Sequence, residues 1–149
     1  LRVKKDYEEL VFLYSKKIYS IPPFQYPIAI PGDIYIKELD MGIVCQYMKK
    51  PDVLYEGPWC IYVDSDKIQG PLLVRNRRDG DRFQPLGMKG TKKLKDYFID
   101  CKVPRDERDA VPLVADENNI IWVVGYQINE KYKVTNNTQR VLQLKINKK

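Results

Sequence analysis

Turn chemistry interrupts this sequence at intervals too short for any long element. Pro31-Gly32-Asp33, Lys49-Lys50-Pro51-Asp52, Asp64-Ser65-Asp66, Asp79-Gly80-Asp81 and Asp116–Asn119 punctuate it. Such clusters preset φ, supply φ > 0 or bond their own backbone, so they end regular structure. The short segments between them are rich in β-branched and aromatic residues and read as strands: Gln25–Ile30, Ile34–Lys37, Gly42–Met48, Trp59–Val63 and Leu72–Arg75. Strands are also expected at Val111–Ala115 and Ile120–Val124, and a final half-buried one where Leu142, Leu144 and Ile146 alternate with Gln143, Lys145 and Asn147. Tyr7–Tyr14 fits either a helical face or a buried strand; its strand-rich neighbours favour the strand. A helix is expected from Thr91, whose hydroxyl would serve as N-cap, with Leu94, Tyr97, Phe98 and Cys101 on one apolar face. Pro104 suits the first turn of a second short helix through Arg108. The class is α+β, dominated by strands, with one or two short helices.

Several function classes are excluded outright. The 149 residues contain no histidine, which removes Ser-His-Asp and Cys-His catalysis and the usual His-ligated zinc. The three cysteines, Cys45, Cys60 and Cys101, form no C-x-x-C and sit in apolar stretches, so buried reduced thiols and a cytoplasmic location are expected. A hydrophobic share of 44% rules out a disordered chain. No apolar run approaches the ~18–20 residues of a membrane span. The chain begins at Leu1 rather than Met, which suggests a piece of something longer.

Charge is unevenly spread. Residues 1–71 carry 9 basic and 10 acidic side chains, whereas residues 72–149 carry 17 and 10. A neutral β-rich lobe at 1–70 and a basic lobe at 71–149 are therefore expected. Within residues 75–105 there are 10 basic groups against 4 acidic ones, which points to a localised anionic partner. Arg75, Arg77, Arg78 and Arg82 offer guanidinium forks to phosphate oxygens. Lys92, Lys93 and Lys95 fall where the first turn of the expected helix presents unpaired N–H groups, and together with glycines they would cradle a phosphate. Lys89, Lys102, Arg105 and Arg108 extend the set. The alternative is a solvated surface partly paired with Asp79, Asp81, Asp96 and Asp100.

Sharper motifs fail on spacing. Gly87-Met88-Lys89-Gly90 has the GXXG of KH domains, but Asp79-Gly80 and Pro85 forbid the helix that must precede it. Gly90–Lys95 has the lysine-rich start of double-stranded-RNA-binding helices, yet Tyr97 and Phe98 are too bulky for that family. No Walker A is present. Asp64/Asp66 and Asp79/Asp81 are spaced like acid–base or metal pairs, though Asp-x-Asp in a turn is more often structural. No catalytic residue and no metal ligand is assigned.

The run from Pro71 to Asp100, with Arg75-Asn-Arg77-Arg78-Asp-Gly80-Asp81-Arg82-Phe83-Gln-Pro85-Leu-Gly87-Met88-Lys89-Gly90 at its centre, resembles the C-terminal domain of the bacterial tRNA(Ile)-lysidine synthetase family. The likeness continues through Lys102–Asp109, Pro112-Leu-Val, Ile121-Trp122-Val-Val-Gly125 and Thr138 onward, and touches Tyr7–Leu10 and Asp64–Lys67 more loosely. The resemblance implies a tRNA-recognition module near the acceptor stem, of an enzyme that uses ATP to attach lysine to the wobble cytidine of a CAU-anticodon isoleucine tRNA. It implies an N-terminal ATP-pyrophosphatase domain outside this chain, acting in cis, with ATP and lysine as substrates of the whole enzyme and no cofactor held here. The implied fold is a β-sandwich of unusual topology shared with the phenylalanyl-tRNA synthetase β chain. The rival expectation is a protein–protein or homodimerisation module using the Tyr-rich neutral half.

Overall fold

The computed structural model describes residues 21–148; Tyr7–Tyr14 lies outside the described residues. Among the described residues ten strands follow in order: β1 (Gln25–Ile28), β2 (Gly32–Ile36), β3 (Met41–Met48), β4 (Cys60–Asp64), β5 (Leu72–Arg75), β6 (Arg82–Phe83), β7 (Lys92–Lys93), β8 (Leu113–Ala115), β9 (Ile120–Val123) and β10 (Val141–Lys148). An α-helix, α1 (Leu94–Asp100), follows β7 directly, and short 3-10 turns cover Ser65–Lys67, Arg105–Ala110 and Glu130–Tyr132. The expected second helix is the middle one of these turns, with Pro104 as its N-cap rather than inside its first turn.

Two four-stranded antiparallel sheets carry the fold, ordered β1-β5-β8-β9 and β2-β3-β10-β4, with β6 and β7 forming a small separate ladder. Each large sheet draws strands from both halves of the chain: β1 joins β5, β8 and β9, and β10 lies between β3 and β4. The boundary near residue 70 therefore divides charge and does not separate two lobes. Leu72, Val74 and Val114 of the first sheet share one buried cluster with Ile43, Val63 and Leu144 of the second, so the sheets cover each other's apolar faces.

The first sheet is covered on its other side as well. Leu113, Ile120 and Val123 pack there with Phe83, Leu94 and Phe98, which brings β6 and α1 onto the sheet. Burial on both faces explains why β8 and β9 read as unbroken apolar runs rather than alternating ones. A register shift between Val114 and Ala115 inserts Ile121 as an extra residue, so Ile121 and Trp122 both enter the inter-sheet cluster. Phe83 meets Tyr97 edge-on, ring centroids 5.1 Å apart, and the Tyr97 hydroxyl donates to Gln127 Oε1 at 2.9 Å.

All three cysteines are free; Cys45 and Cys60 are buried and Cys101 half-buried. Burial pushes the Cys45 thiol up to about 12, far from reactive thiolate. Among the described residues no helix is long and apolar enough to cross a membrane.

β10 is the keystone of its sheet, pairing Leu144 with Cys45 on one side and Ile61 on the other. Leu144 is fully buried. Leu144→Ala should cost about 3 kcal/mol of unfolding free energy, transfer and cavity terms together. Lys145→Ala, on the exposed side of the strand, should cost under ~0.5 kcal/mol. Urea unfolding followed by tryptophan fluorescence measures both.

Candidate nucleic-acid interface

The basic stretch is built around one carboxylate. Asp79-Gly80 turns the chain after β5, with Gly80 at φ +85° in the left-handed region that a side chain disfavours. The turn points Asp81 back toward β5. Its Oδ2 and Oδ1 accept from Arg75 Nη1 and Nη2, both at 2.9 Å, and Oδ2 also accepts from the Arg78 backbone N–H at 2.7 Å. Arg75 donates further to the Asn76 carbonyl at 3.1 Å and is buried. Beside it, buried Asn76 accepts from Phe24 N–H at 3.1 Å and donates to the carbonyls of Pro22 and Asp109 at 3.1 and 3.3 Å. Asn76 thereby fastens the loop to the segment just ahead of β1 and to the 105–110 turn, while Arg75 closes the loop on itself.

Helix α1 begins at Leu94, not Thr91. Lys93 is its N-cap, without a side-chain cap, and Lys92 and Lys93 pair with Phe83 and Arg82 in the β6–β7 ladder. Pairing wins because Leu94 N–H donates to the Asp81 carbonyl at 2.9 Å, which continues the hairpin past the point where the helix was expected. The Thr91 hydroxyl accepts from Arg82 Nε at 3.0 Å instead of capping. Of the three lysines only Lys95 lies in the first turn, beside Asp96. The expected cradle of four free N–H groups under three cations is thus not formed at this helix start.

A groove of about 550 Å³ forms instead between the loop and the start of α1, lined by Arg77, Arg78, Arg82, Lys93 and Lys95 together with Asp79, Asp81 and Asp109. Asp81 is consumed by Arg75, and Asp109 Oδ1 accepts from Arg77 Nε at 2.8 Å. That leaves Arg78, Arg82, Lys93 and Lys95 facing Asp79 alone. Arg78 donates to Gln25 and Arg82 to the Thr91 hydroxyl and carbonyl, neutral partners that orient a guanidinium without cancelling it. Lys93 and Lys95 make no ion pair among the described residues.

The other sequence-predicted cations are dispersed. Arg105 lines a neighbouring depression with Arg77. Arg108 is half-buried and donates to the Val103 carbonyl at 3.0 Å. Lys92 pairs with Asp100. Lys89 is exposed in the β6–β7 connection, and Lys102 is exposed at φ +60° just after α1. The Asp64/Asp66 pair is structural: Asp64 is buried and accepts from Asp66 N–H and the Thr138 hydroxyl, both at 2.9 Å.

Two supports carry no local sequence signal. Gln84, buried, donates to the carbonyls of Met88 and Lys89 at 2.8 and 3.3 Å. Glu130, distant in sequence, accepts from Gly87 N–H at 2.8 Å, while its own N–H donates to the Gln84 carbonyl at 2.9 Å. Hydrogen bonding from Lys133, then from Gly87, holds the Glu130 carboxyl below its ordinary range.

Residues 72–146 match the model of the TilS substrate C-terminal domain. The chain belongs to that family. It is 44% identical over 147 residues to a tRNA(Ile)-lysidine synthase of Caldanaerobacter subterraneus subsp. tengcongensis, an alignment covering 97% of this chain and 31% of that protein. A tRNA(Ile)-lysidine synthase of Clostridium acetobutylicum is 40% identical over 147 residues, covering 98% and 30%. A solved crystal structure of a TilS C-terminal domain superposes with TM-score 0.74 at 30% identity, covering 85% of this chain and 98% of that one. The chain therefore shares its two-sheet, strand-dominated α+β fold with a known member of the family, and spans about a third of the length of these curated relatives.

Asp81 lines the groove and pairs with Arg75, their side chains only 12% and 10% exposed. Asp81→Ala strands a buried guanidinium and frees the Arg78 amide, so it should destabilise by about 3 kcal/mol. Asp79→Ala, at an exposed turn position, should change stability by less than ~0.5 kcal/mol. Chemical denaturation of the two variants tests the contrast.

Proposed function

We infer that this domain binds tRNA within a tRNA(Ile)-lysidine synthase, engaging phosphates of the isoleucine tRNA near its acceptor stem. The observation that carries the reading is the groove above α1, where four cations face one free carboxylate. Arg78, Arg82, Lys93 and Lys95 are the principal contacts; Arg77 lines the same groove but is paired with Asp109, and Lys89, Lys92, Lys102, Arg105 and Arg108 lie outside it and add to the field. Arg75 acts beneath it, holding the loop. Phosphate contacts of this kind position an RNA without reading its sequence.

The domain supplies binding, and the chemistry belongs to the rest of the enzyme. In this reading an N-terminal ATP-pyrophosphatase domain, in cis, adenylates the wobble cytidine and joins lysine to it, with ATP and lysine as its substrates, in the cytoplasm. The two facing sheets support kinship with the β-sandwich of the phenylalanyl-tRNA synthetase β chain. A second reading, a protein–protein or dimerisation module, is favoured by one feature: Val53, Leu54 and Tyr55 are exposed ahead of β4. Sedimentation of a Val53→Ser/Tyr55→Ser variant examines it; a shift from dimer to monomer would support that use of the neutral half.

Lys93→Ala/Lys95→Ala should weaken binding to an isoleucine tRNA about tenfold or more, each lost charge-assisted contact being worth ~1 kcal/mol or more. The slope of log K against log salt should flatten by about one unit per phosphate contact removed. Both side chains are exposed, so thermal melts should hardly move. Gel shifts across a salt series provide the measurement; a wild-type slope near zero would defeat the reading.

A further inference from the structure

The β6–β7 hairpin is basic along its strands and apolar at its tip. Arg82 pairs with Lys93 and Phe83 with Lys92 in the ladder, and the connection between them exposes Leu86 and Met88, 44% and 37% accessible, next to exposed Lys89. Two aliphatic side chains in water are unremarkable on a loose loop, but this tip is held in place. Met88 N–H closes a turn onto the Pro85 carbonyl at 3.0 Å, with Gly87 at φ +86° as its third residue, the position where a type II turn needs glycine. Buried Gln84 ties down the carbonyls of Met88 and Lys89 from inside, Glu130 holds the Gly87 amide, and Pro85 bridges to Asn129. Phe83, at the base, is locked into the cluster under α1.

A rigid turn that presents apolar side chains, flanked on both strands by cations, suits a partner that is anionic at its edges and apolar on its face. Nucleic acid has that character: phosphates outside, stacked base faces inside. Aromatic side chains are the common platforms for single unstacked bases, whereas Leu and Met serve as wedges set against base pairs. We propose that Leu86 and Met88 form an apolar wedge that seats against the open end of an RNA stem, capping its last base pair, while the cations of the same hairpin and of the adjoining groove hold the backbone beside it. The proposal rests on the tRNA-binding reading and adds to it a preference for stem ends.

The test compares two RNAs of identical stem sequence: a hairpin with one blunt open end, and a dumbbell closed by loops at both ends. The wild-type chain should bind the open hairpin more tightly, by roughly tenfold or more for two half-exposed side chains losing their remaining water contact. Leu86→Ser/Met88→Ser should abolish that preference, leave dumbbell affinity and the salt slope unchanged, and melt like wild type. Leu86→Ser alone should fall between. Equal affinity of wild type for both RNAs overturns the wedge while leaving the phosphate groove standing, as does a variant that weakens both RNAs alike. A variant that changes the oligomeric state overturns it too, since the tip would then be a protein contact. Failure of the wild type to bind either RNA overturns the wedge and the tRNA-binding reading together, and the groove variant Lys93→Ala/Lys95→Ala separates these cases by its salt slope.

Discussion

The carboxylate of Asp81 decides how the basic half of this domain is arranged. It neutralises Arg75 beneath the surface, terminates the Asp79-Gly80 turn through the Arg78 amide, and brings its own carbonyl to the amide that opens α1. A guanidinium at that depth without a counter-charge would carry a desolvation cost of several kcal/mol. Sequence-local charge thus sets tertiary position: one cation is drawn inward, and basic residues that follow it are left facing outward around a common hollow.

Backing matters as much as charge. Cations that hold a phosphate backbone lose rotamer freedom when they do so, and the loss is smaller when the strands bearing them are already fixed. Here the fixing comes from Phe83, Leu94 and Phe98, which sink into the second cluster against Leu113, Ile120 and Val123. The first sheet is therefore more than a partner for the second. Its far face is the platform on which the basic hairpin and α1 stand.

The strand-rich class and most strand positions were legible, because period-two alternation and turn residues are local properties. Gly42–Met48 and the alternation of Leu142, Leu144 and Ile146 translate almost unchanged into β3 and β10. Strand partners were not legible: nothing in residues 60–64 says that they pair with residues 141–145, and so the charge boundary was mistaken for a structural one. The helix start was misplaced since Thr91 has good capping chemistry, while the competing two-residue ladder with Arg82 and Phe83 is too short to leave a pattern. Most of the groove was foreseeable as a basic cluster, but Arg75 looks like its neighbours in the sequence and only its depth sets it apart. Glu130 and Asp109 act across long sequence separations, where no spacing rule reaches them.

The place of β10 has a kinetic meaning. β3 and β4 follow one another in the chain, yet neither pairs with the other; both wait for a strand from the far end. Until that strand is made, β3 has one unpaired edge and β4 has two, throughout synthesis of the insert that carries the basic hairpin. Such non-local closure raises the loop entropy that must be overcome before any ladder bond is gained, which slows folding and lengthens exposure of sticky edges. During synthesis the second sheet cannot close before β10 leaves the ribosome, so this domain completes its fold only once its own last described strand has been made.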